Sequence, residues 1–425
     1  MSLPEGTLYV APEQLCVGVY IHLDLGWMQH TFPFSSFKIK NAGQIETIRQ
    51  LGLKRIRIEP GKSDSKHLPA PSGTVATKPP PAVIAQADTE AIKEKKLRIE
   101  QFNCIRRDIA AVEKEFKQAS ETVRNITRNI HTKPQEVRQE AEKLVEKMVE
   151  SLRDKSDVMI HAMSDKLGEE VYFHSLNVAV LSLILAKVIG IHEAETKHLG
   201  MGAVFHDVGK VDIPSQILLK TEPLTKPERS FYELHCEYGL NIVQKIGLSK
   251  QAAEIVMQHH EYVDGSGYPG KFKAEQISPL SRIVCIVNAY DNLCNPICLA
   301  DALTPHEALS QMFAIKRDKF DIAVLKAFIH CLGVYPPGSV VQLSNDMLGM
   351  VVSVNHAKPL KPNVLVYDPD IPKEEAVVVN LEQDGDISIS KSLRPSQLPR
   401  EVFQYLNPRK RVTYYFDPKK QNEHT

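Results

Sequence analysis

Residues 169–190 read EEVYFHSLNVAVLSLILAKVIG, and they are the strongest indication of fold class in the sequence. The second half of this stretch is apolar on almost every face. A helix that is apolar all round is typical of the centre of a helical domain. Its first turn differs, because Glu170 and His174 are spaced i, i+4 and therefore share one helix face. The stretch predicts a core helix of an all-α domain with two ligand-type side chains at its start.

The sequence changes character on both sides of this helix, which predicts a multidomain chain. A length of 425 residues accommodates about two to four domains of ordinary size. Short alternating runs on each side of the helical region are typical of β-strands. The predicted segments, in chain order, are a small α+β accessory domain (1–62), a Pro-rich linker (63–88), amphipathic helices (89–154), an all-α domain (155–335) and a small β-rich C-terminal unit (336–425).

Composition excludes several classes of protein. Lys+Arg and Asp+Glu both total 52, so the net charge gives no general attraction to a nucleic-acid polymer or an anionic membrane. The seven cysteines are scattered and form no CxxC pair, which favours reduced thiols in the cytoplasm over a disulfide framework. No run approaches the roughly 20 apolar residues of a membrane span, and the first residues lack a leader pattern. We expect a cytoplasmic protein with no membrane span.

Clusters of metal-ligand residues recur within the predicted helical domain. They are Glu170 with His174, His206-Asp207 in FHDVGK, His235 in ELHCEYG, and His259-His260-Glu261 in QHHEYVDGSGYPG. Any one of these histidines by itself would more often be a core residue. Together, at helix ends that meet loops, they predict a metal site, because imidazole and carboxylate suit iron, manganese, nickel and zinc.

The loop DGSGYPG, residues 264–270, follows the last cluster directly. Its three glycines permit positive φ angles and a close approach of the backbone to a ligand. In isolation the loop would indicate an ordinary tight turn. Its attachment to His-His-Glu predicts that it forms a wall of the metal site.

HDVGK at 206–210, followed by HHEYVDGSGYPG at 259–270, resembles the signature of the HD-GYP family, a branch of the HD metal-dependent phosphohydrolases. The resemblance covers about residues 155–332, and the N-terminal region resembles an accessory domain found ahead of some HD-GYP domains. It implies a helical domain that holds two or three divalent metal ions, with iron or manganese favoured and nickel or zinc open. It also implies that cyclic di-GMP is the substrate and that pGpG, GMP or both are products.

The resemblance also implies roles for individual residues. The implied metal ligands are Glu170, His174, His206, Asp207, His235, His259 and His260. Asp207 and Lys210 are the implied catalytic residues, with Lys210 contacting the phosphate and assisting the leaving oxygen. The implied substrate-binding loop contributes Asp264, Gly267, Tyr268 and Pro269.

The sequence departs from the family pattern in the helix after this loop. Asn288 stands where the pattern has an aspartate ligand, and Ile297 and Leu299 stand where it has an arginine and a tyrosine. An amide oxygen is a weaker cation ligand than a carboxylate. Asp291, three residues further on, lies on nearly the same helical face and is an alternative ligand. Both Asn288 and Asp291 therefore remain candidate metal ligands.

Three functions remain open on the sequence. The favoured one is hydrolysis of cyclic di-GMP, in which a pair of cations activates water and clamps the phosphate. The alternatives are a cyclic di-GMP sensor with little turnover and a hydrolase of another phosphoester. A homodimer through residues 89–152 and a protein partner of the N-terminal domain are further hypotheses.

Overall fold

The computed structural model of the chain describes most of the protein outside its N-terminal linker region. The described residues are 8–25, 30, 32, 35–64, 114–153, 160–162, 170–354, 358–369, 371, 373, 376–383, 387–408 and 414–416. The predicted linker beyond residue 64 and the predicted helical residues 89–113 lie outside this set, as does the side chain of Glu170. The chain divides into two compact units, Met1–Cys104 with Val366–Val378 and Ile105–Leu365 with Val379–Thr425.

The N-terminal unit is a small antiparallel sheet with one helix. Its elements are β1 (Leu8–Val10), β2 (Tyr20–His22), β3 (Ser36–Lys38), α1 (Ala42–Gln50) and β4 (Ile56–Ile58). The strands lie in the order β1-β4-β2-β3. Asn41 begins the helix, because its side-chain oxygen accepts a hydrogen bond from the Gln44 amide at 3.0 Å. Ile21, Ile48 and Ile56 are buried between sheet and helix. The predicted α+β fold of this region is confirmed.

The second unit is built around a helical domain, as predicted. Its helices are α2 (described over 114–129), α3 (Pro134–Arg153), α4 (Glu170–Ile189), α5 (Glu193–Phe205), α6 (Ser215–Leu218), α7 (Lys226–Glu233), α8 (His235–Lys245), α9 (Lys250–Gln258), α10 (Pro279–Cys294), α11 (Pro305–Ala314) and α12 (Ile322–Leu332). Helix α4 is the predicted core helix, and it packs against α5, α10 and α12. Its central residues 176–186 are buried on every side, which accounts for the absence of a polar stripe.

Helices α2 and α3 are amphipathic, and they meet at the predicted proline break. Helix α3 begins at Pro134, a position where the missing N–H costs nothing. The apolar stripe of the pair is buried in the core of this unit, for example at Val123, Val137 and Val145. The predicted homodimer through residues 89–152 would use this apolar stripe. Over residues 114–153 the stripe is covered by the same chain.

Strands dominate the C-terminal part, as predicted. The C-terminal elements are β6 (Val340–Leu343), β7 (Leu348–Ser353), β8 (Asn363–Val366), β9 (Val377–Asn380), β10 (Ile389–Leu393), α13 (Arg400–Leu406) and β11 (Tyr414–Phe416). A further strand, β5 (Ile160–Ala162), lies between α3 and α4, within the region predicted to be all-α. Five strands form a sheet in the order β10-β6-β7-β8-β9, and β11 pairs with β5 in a separate antiparallel ladder. None of the described helices is long and apolar enough to cross a membrane.

Candidate metal centre

Three histidines reach the centre of the helical domain from places where a helix ends. His206 follows α5, His259 follows α9, and His235 lies at the junction of α7 and α8. The last carbonyls of a helix have no partner within the helix. The Nδ1 atom of each histidine lies within hydrogen-bond distance of the carbonyl three residues back. The distances are 2.8 Å for His206 to Ala203, 2.7 Å for His235 to Tyr232 and 2.8 Å for His259 to Val256.

These contacts determine the tautomer of each ring. A carbonyl oxygen can only accept, so Nδ1 must be the atom that holds the proton. In the neutral tautomer Nε2 is then the acceptor, and in all three rings it faces the Asp207 carboxylate. Metal-binding imidazoles are oriented in this way, with one nitrogen held by the protein and the other free to ligate. The local sequence builds the arrangement, because each histidine serves as the partner of a helix-end carbonyl.

Asp207 lies at the middle of the cluster and is 8% exposed. Its Oδ2 lies 3.4 Å from Nε2 of both His174 and His206. Its Oδ1 lies 3.5 Å from Nε2 of His235 and 3.6 Å from Nε2 of His259. The carboxylate therefore separates two groups of ligand atoms, and within each group the atoms lie within 4.8 Å of one another. One group is His174, His206 and Asp207, and the other is Asp207, His235, His259 and His260.

The donor set fits divalent cations. Nε2 of His235 and Nε2 of His259 are only 3.3 Å apart, although both are acceptors by the tautomer argument above. Two facing lone pairs repel unless a proton or a cation lies between them. The buried Oδ1 of Asp207 and Nε2 of His260 also have no hydrogen-bond partner among the described residues. Such unsatisfied buried acceptors are costly in a protein interior, and a cation would satisfy all of them.

His174 is held by a carboxylate instead of a carbonyl. Its Nδ1 lies 2.6 Å from Oδ2 of Asp291, on α10. Oδ1 of Asp291 accepts hydrogen bonds from the side-chain amides of Asn177 at 2.9 Å and Asn295 at 3.0 Å. Asp291 thus lies behind His174, with both oxygen atoms engaged. Its position is that of a carboxylate that orients a ligand.

A main-chain group from the C-terminal strand completes this network. The amide N–H of Tyr414, in β11, donates to Oδ1 of Asn177 at 3.0 Å. The Tyr414 and Tyr290 hydroxyls lie 2.7 Å apart, and both side chains are fully buried. Tyr414, which is 237 positions from Asn177 in the sequence, therefore holds the Asn177 amide that donates to Asp291.

Lys210 contacts the central carboxylate from the HDVGK turn. Its Nζ donates to Oδ2 of Asp207 at 2.5 Å, and it lies 5.5 Å from the ring centre of Tyr232. Burial alone would lower the pKa of Lys210, but the Asp207 charge and the Tyr232 hydroxyl outweigh it and raise the pKa above the ordinary value. Lys210 therefore remains a cation at the edge of the cluster.

A close backbone approach brings the HDVGK turn against helix α8. A Cβ atom at Gly209 would lie 2.0 Å from the carbonyl oxygen of His235 and 2.4 Å from the amide nitrogen of Gly239. No larger residue fits there without separating the two segments. Gly209 thus permits Asp207 and His235 to approach one another, a requirement that the sequence reasoning missed.

Glu261 and Gly267 hold residues 264–270, the GYP loop, against the cluster of histidines around Asp207, which we call the metal cluster. The carboxylate of Glu261 is 1% exposed and accepts hydrogen bonds from the amides of Gly270 at 2.5 Å and Phe272 at 3.0 Å. A Cβ at Gly267 would lie 2.4 Å from the Tyr262 amide nitrogen. The Tyr268 ring stacks on His260 with ring centres 4.5 Å apart. The loop therefore forms a wall beside His260, while Glu261 serves as its anchor.

Burial sets the charge of most inward-facing imidazoles. It lowers the pKa of His206 to about 4 and that of His235 to about 3, and it holds the pKa of His260 well below its usual range. Near neutral pH these rings are uncharged, as metal ligation requires. Burial would also lower the pKa of His174, but the Asp207 and Asp291 carboxylates outweigh it and raise the pKa to about 9.

The structure brings together most of the residues selected from the sequence. The converging set is His174, His206, Asp207, His235, His259 and His260, with Lys210 beside them. Asn288 is buried and lines a cavity next to His259 and His260. Asp264 is exposed and accepts a hydrogen bond from the Ser266 amide at 2.9 Å. Asn177, Asn295 and Tyr414 were missed, because nothing in the local sequence connects them with the cluster.

Two family models match the chain. An HD domain model matches residues 129–324, and a domain of unknown function, DUF3391, matches residues 9–136. The predicted resemblance to HD metal-dependent phosphohydrolases with an N-terminal accessory domain is confirmed by these matches.

Several curated proteins are similar to the chain. Cyclic di-GMP phosphodiesterase PA4108 of Pseudomonas aeruginosa is 26% identical over 357 residues, which is 83% of each protein. Cyclic di-GMP phosphodiesterase PdeB of Borreliella burgdorferi is 26% identical over 53% of this chain and 60% of its own length. The 3'3'-cGAMP-specific phosphodiesterase 2 of Vibrio cholerae is 31% identical over 40% of this chain and 34% of its own length.

Proposed function

We propose that this HD-domain protein is a metal-dependent phosphodiesterase that hydrolyses cyclic dinucleotides, with cyclic di-GMP as its substrate. The convergence of the Nε2 atoms of His206, His235 and His259 around Asp207 is the observation that carries the proposal. Similarity to enzymes of cyclic di-GMP and of 3'3'-cGAMP supports the substrate class. The residues of the chain favour a hydrolase over a simple binding protein, because a binder has no need of a buried cluster of metal ligands.

We propose that the cluster would hold two divalent cations, with Asp207 among the residues that hold them. His174 and His206 would hold one cation, and His235, His259 and His260 the other. Glu170 begins the helix that contains His174, and we propose it as a further ligand on that side. When bound, the cations would supply Lewis acidity to the phosphodiester and to the attacking water. Iron or manganese is the proposed metal, because imidazole and carboxylate donors suit both.

The protein's own groups would bind and orient the substrate. Lys210 is a fixed cation beside Asp207, and we propose that it offsets the negative charge that develops on the phosphoryl oxygens and the leaving oxygen. Tyr268, Gly267 and Pro269 would form one wall of the substrate site, because the Tyr268 ring already stacks on His260. Asp264 would lie at the outer rim of this wall. Asp291 would orient His174, and Asn288 would face the substrate cavity.

One experiment separates the enzyme from a sensor. The full chain is purified without chelator, its bound metal is counted by elemental analysis, and cyclic di-GMP is followed by chromatography with added Mn²⁺ or Fe²⁺. We expect two or more metal ions per chain together with pGpG, GMP or both as products. Binding of intact cyclic di-GMP without any product under every metal would overturn the enzyme and support the sensor. Faster hydrolysis of 3'3'-cGAMP would change the preferred substrate but not the reaction.

We also propose a cytoplasmic location, since the proposed substrate is an intracellular signalling molecule. A homodimer through residues 89–152 and a protein partner for the N-terminal unit remain proposals. Light scattering of the full chain, compared with a chain that lacks residues 1–88, would test the dimer. A monomer in both cases would overturn it.

A further inference from the structure

A cavity of about 180 Å³ opens on the side of His259 and His260. Asn288, Asn292 and Lys316 contribute its polar lining, and Tyr262 and Phe320 contribute aromatic surface. None of its lining residues carries a carboxylate. The cavity is smaller than the roughly 300–1,000 Å³ of a pocket that encloses a whole drug-sized ligand. It therefore suits one part of a substrate whose reacting group lies at the metal cluster.

The side chain of Asn288 offers hydrogen-bond donors to this cavity. Nδ2 of Asn292 lies 2.9 Å from the main-chain oxygen of Asn288 and 2.8 Å from its Oδ1. A main-chain oxygen only accepts, so the Asn292 atom must be the NH₂ group, and the atom that it meets on Asn288 must be oxygen. Oδ1 accepts this one hydrogen bond, and the NH₂ group of Asn288 has no acceptor among the described residues. The NH₂ group can therefore donate to an anionic ligand in the cavity.

Lys316 adds a positive charge to the same cavity. Its backbone is held in place, because its N–H donates to the Gln311 carbonyl at 3.2 Å and its carbonyl accepts from the Lys319 amide at 3.0 Å. Its side chain is partly buried, and no carboxylate of the described residues lies within ion-pair distance of Nζ. A partly buried ammonium without a carboxylate partner, in a cavity of neutral donors, is arranged to receive an anion.

The location of this lysine compensates for a gap elsewhere in the sequence. Ile297 stands where the family pattern has an arginine, and it is 61% exposed. The chain therefore has no cation at this position. Lys316 lies on a different segment, after α11, and brings a positive charge to the cavity beside the cluster.

We propose that Lys316 and Asn288 form a subsite for the second phosphodiester of a cyclic dinucleotide. The inference rests on the proposed function, in which the first phosphodiester lies at the metal cluster. A cyclic dinucleotide carries two such groups, and the second remains anionic while the first reacts. Lys316 pairs with this second phosphate and Asn288 donates to it, so both residues govern substrate affinity.

The test compares two substrates in the full-length protein. The variants are Lys316→Ala, Lys316→Arg and the matched control Lys326→Ala, an exposed lysine on α12. For cyclic di-GMP, Lys316→Ala should raise KM by roughly tenfold, the loss of about one charge-assisted contact, with kcat nearly unchanged. Lys316→Arg should restore most of the affinity. Bis(p-nitrophenyl) phosphate has a single phosphodiester, so its KM should not respond to any of these variants.

The outcomes distinguish this proposal from the proposed function. If cyclic di-GMP is hydrolysed and Lys316→Ala leaves its KM at the wild-type value, the subsite is wrong and the phosphodiesterase stands. The subsite is also wrong if the KM of both substrates rises equally. If the wild type shows no hydrolysis, no KM can be measured, and the affinity for cyclic di-GMP is measured by calorimetry instead. If cyclic di-GMP then binds more weakly to Lys316→Ala but not to Lys326→Ala, the subsite is supported even though the proposed hydrolysis is wrong. Unchanged binding to Lys316→Ala overturns the subsite. Metal content should equal that of the wild type in every variant.

Discussion

Replacing Asp291 with alanine tests whether this carboxylate orients a metal ligand or ligates the metal itself. Asp291 is 1% exposed, and its Oδ2 lies 2.6 Å from Nδ1 of His174. Its Oδ1 accepts from Asn177 and Asn295. The substitution therefore frees the His174 ring to rotate and removes this acceptor from the buried Asn177 amide and the partly buried Asn295 amide.

The expected loss follows from these contacts. Removing a group that orients a metal ligand typically weakens metal binding about 10–100-fold, which corresponds to about 1.4–2.7 kcal/mol. Stability falls separately, because each buried amide that loses its partner costs about 1–3 kcal/mol. We expect weaker metal binding on the His174 side and a lower Tm in a protein that still folds.

The assay is a double-mutant cycle on metal affinity. Wild type, Asp291→Ala, His174→Ala and the double variant are stripped of metal and titrated with Mn²⁺ against a chelator of known affinity. If Asp291 acts through His174, its removal costs almost nothing once His174 is gone. Asp321→Asn is the matched control, because Asp321 pairs with Arg282 at 3.1 Å and caps α12. It should lower Tm without changing metal affinity.

Two results would refute the reasoning. Wild-type metal affinity in folded Asp291→Ala would show that the carboxylate does not orient His174. Additive losses in the cycle would show that Asp291 binds metal independently, which was the other hypothesis from the sequence.

Further predictions concern the cluster, the loop and the response to pH. The double variant His206→Ala, Asp207→Ala should lose metal and turnover while circular dichroism stays native; retained turnover would contradict the assignment. Gly267→Ala should lower kcat/KM at least tenfold, since its Cβ would lie 2.4 Å from a backbone nitrogen; wild-type kinetics would show that the loop tolerates the change. Asn288→Asp should raise the KM for cyclic di-GMP by placing a carboxylate in the anion cavity; more bound metal with faster turnover would identify position 288 as a ligand. Burial lowers the pKa of His206 to about 4 and of His235 to about 3, so below pH 6.5 the unfolded chain binds more protons than the native one. The Tm of metal-free protein should fall as pH decreases from about 6.5 to about 4, and a flat Tm profile would contradict it.

Local patterns in the sequence predicted the helical domain and most of the ligand set. The apolar run after His174 was sufficient for a core helix, because a helix without a polar face can only be buried. His206, Asp207, His235, His259 and His260 were identifiable by residue type and by their place at helix ends. The structure adds a physical reason for that place, since each of the three carbonyl-held histidines satisfies a helix-end carbonyl and thereby presents Nε2 inward.

The local sequence could not predict the roles that depend on long-range contacts. Asp291 and Glu261 have the chemistry of metal ligands, yet one lies behind His174 and the other anchors a loop.

The sequence by itself determined which chemical groups are present and which of them share a helix face, because both depend only on neighbouring residues. The tertiary structure alone decided which group faces which. Lys316 lines the cavity beside His259 from a separate segment, and Tyr414 reaches the His174 network across 237 positions. Gly209 lets two backbones meet at a distance that no side chain would allow. Such contacts are set by the packing of helices against one another, and packing depends on every element at once.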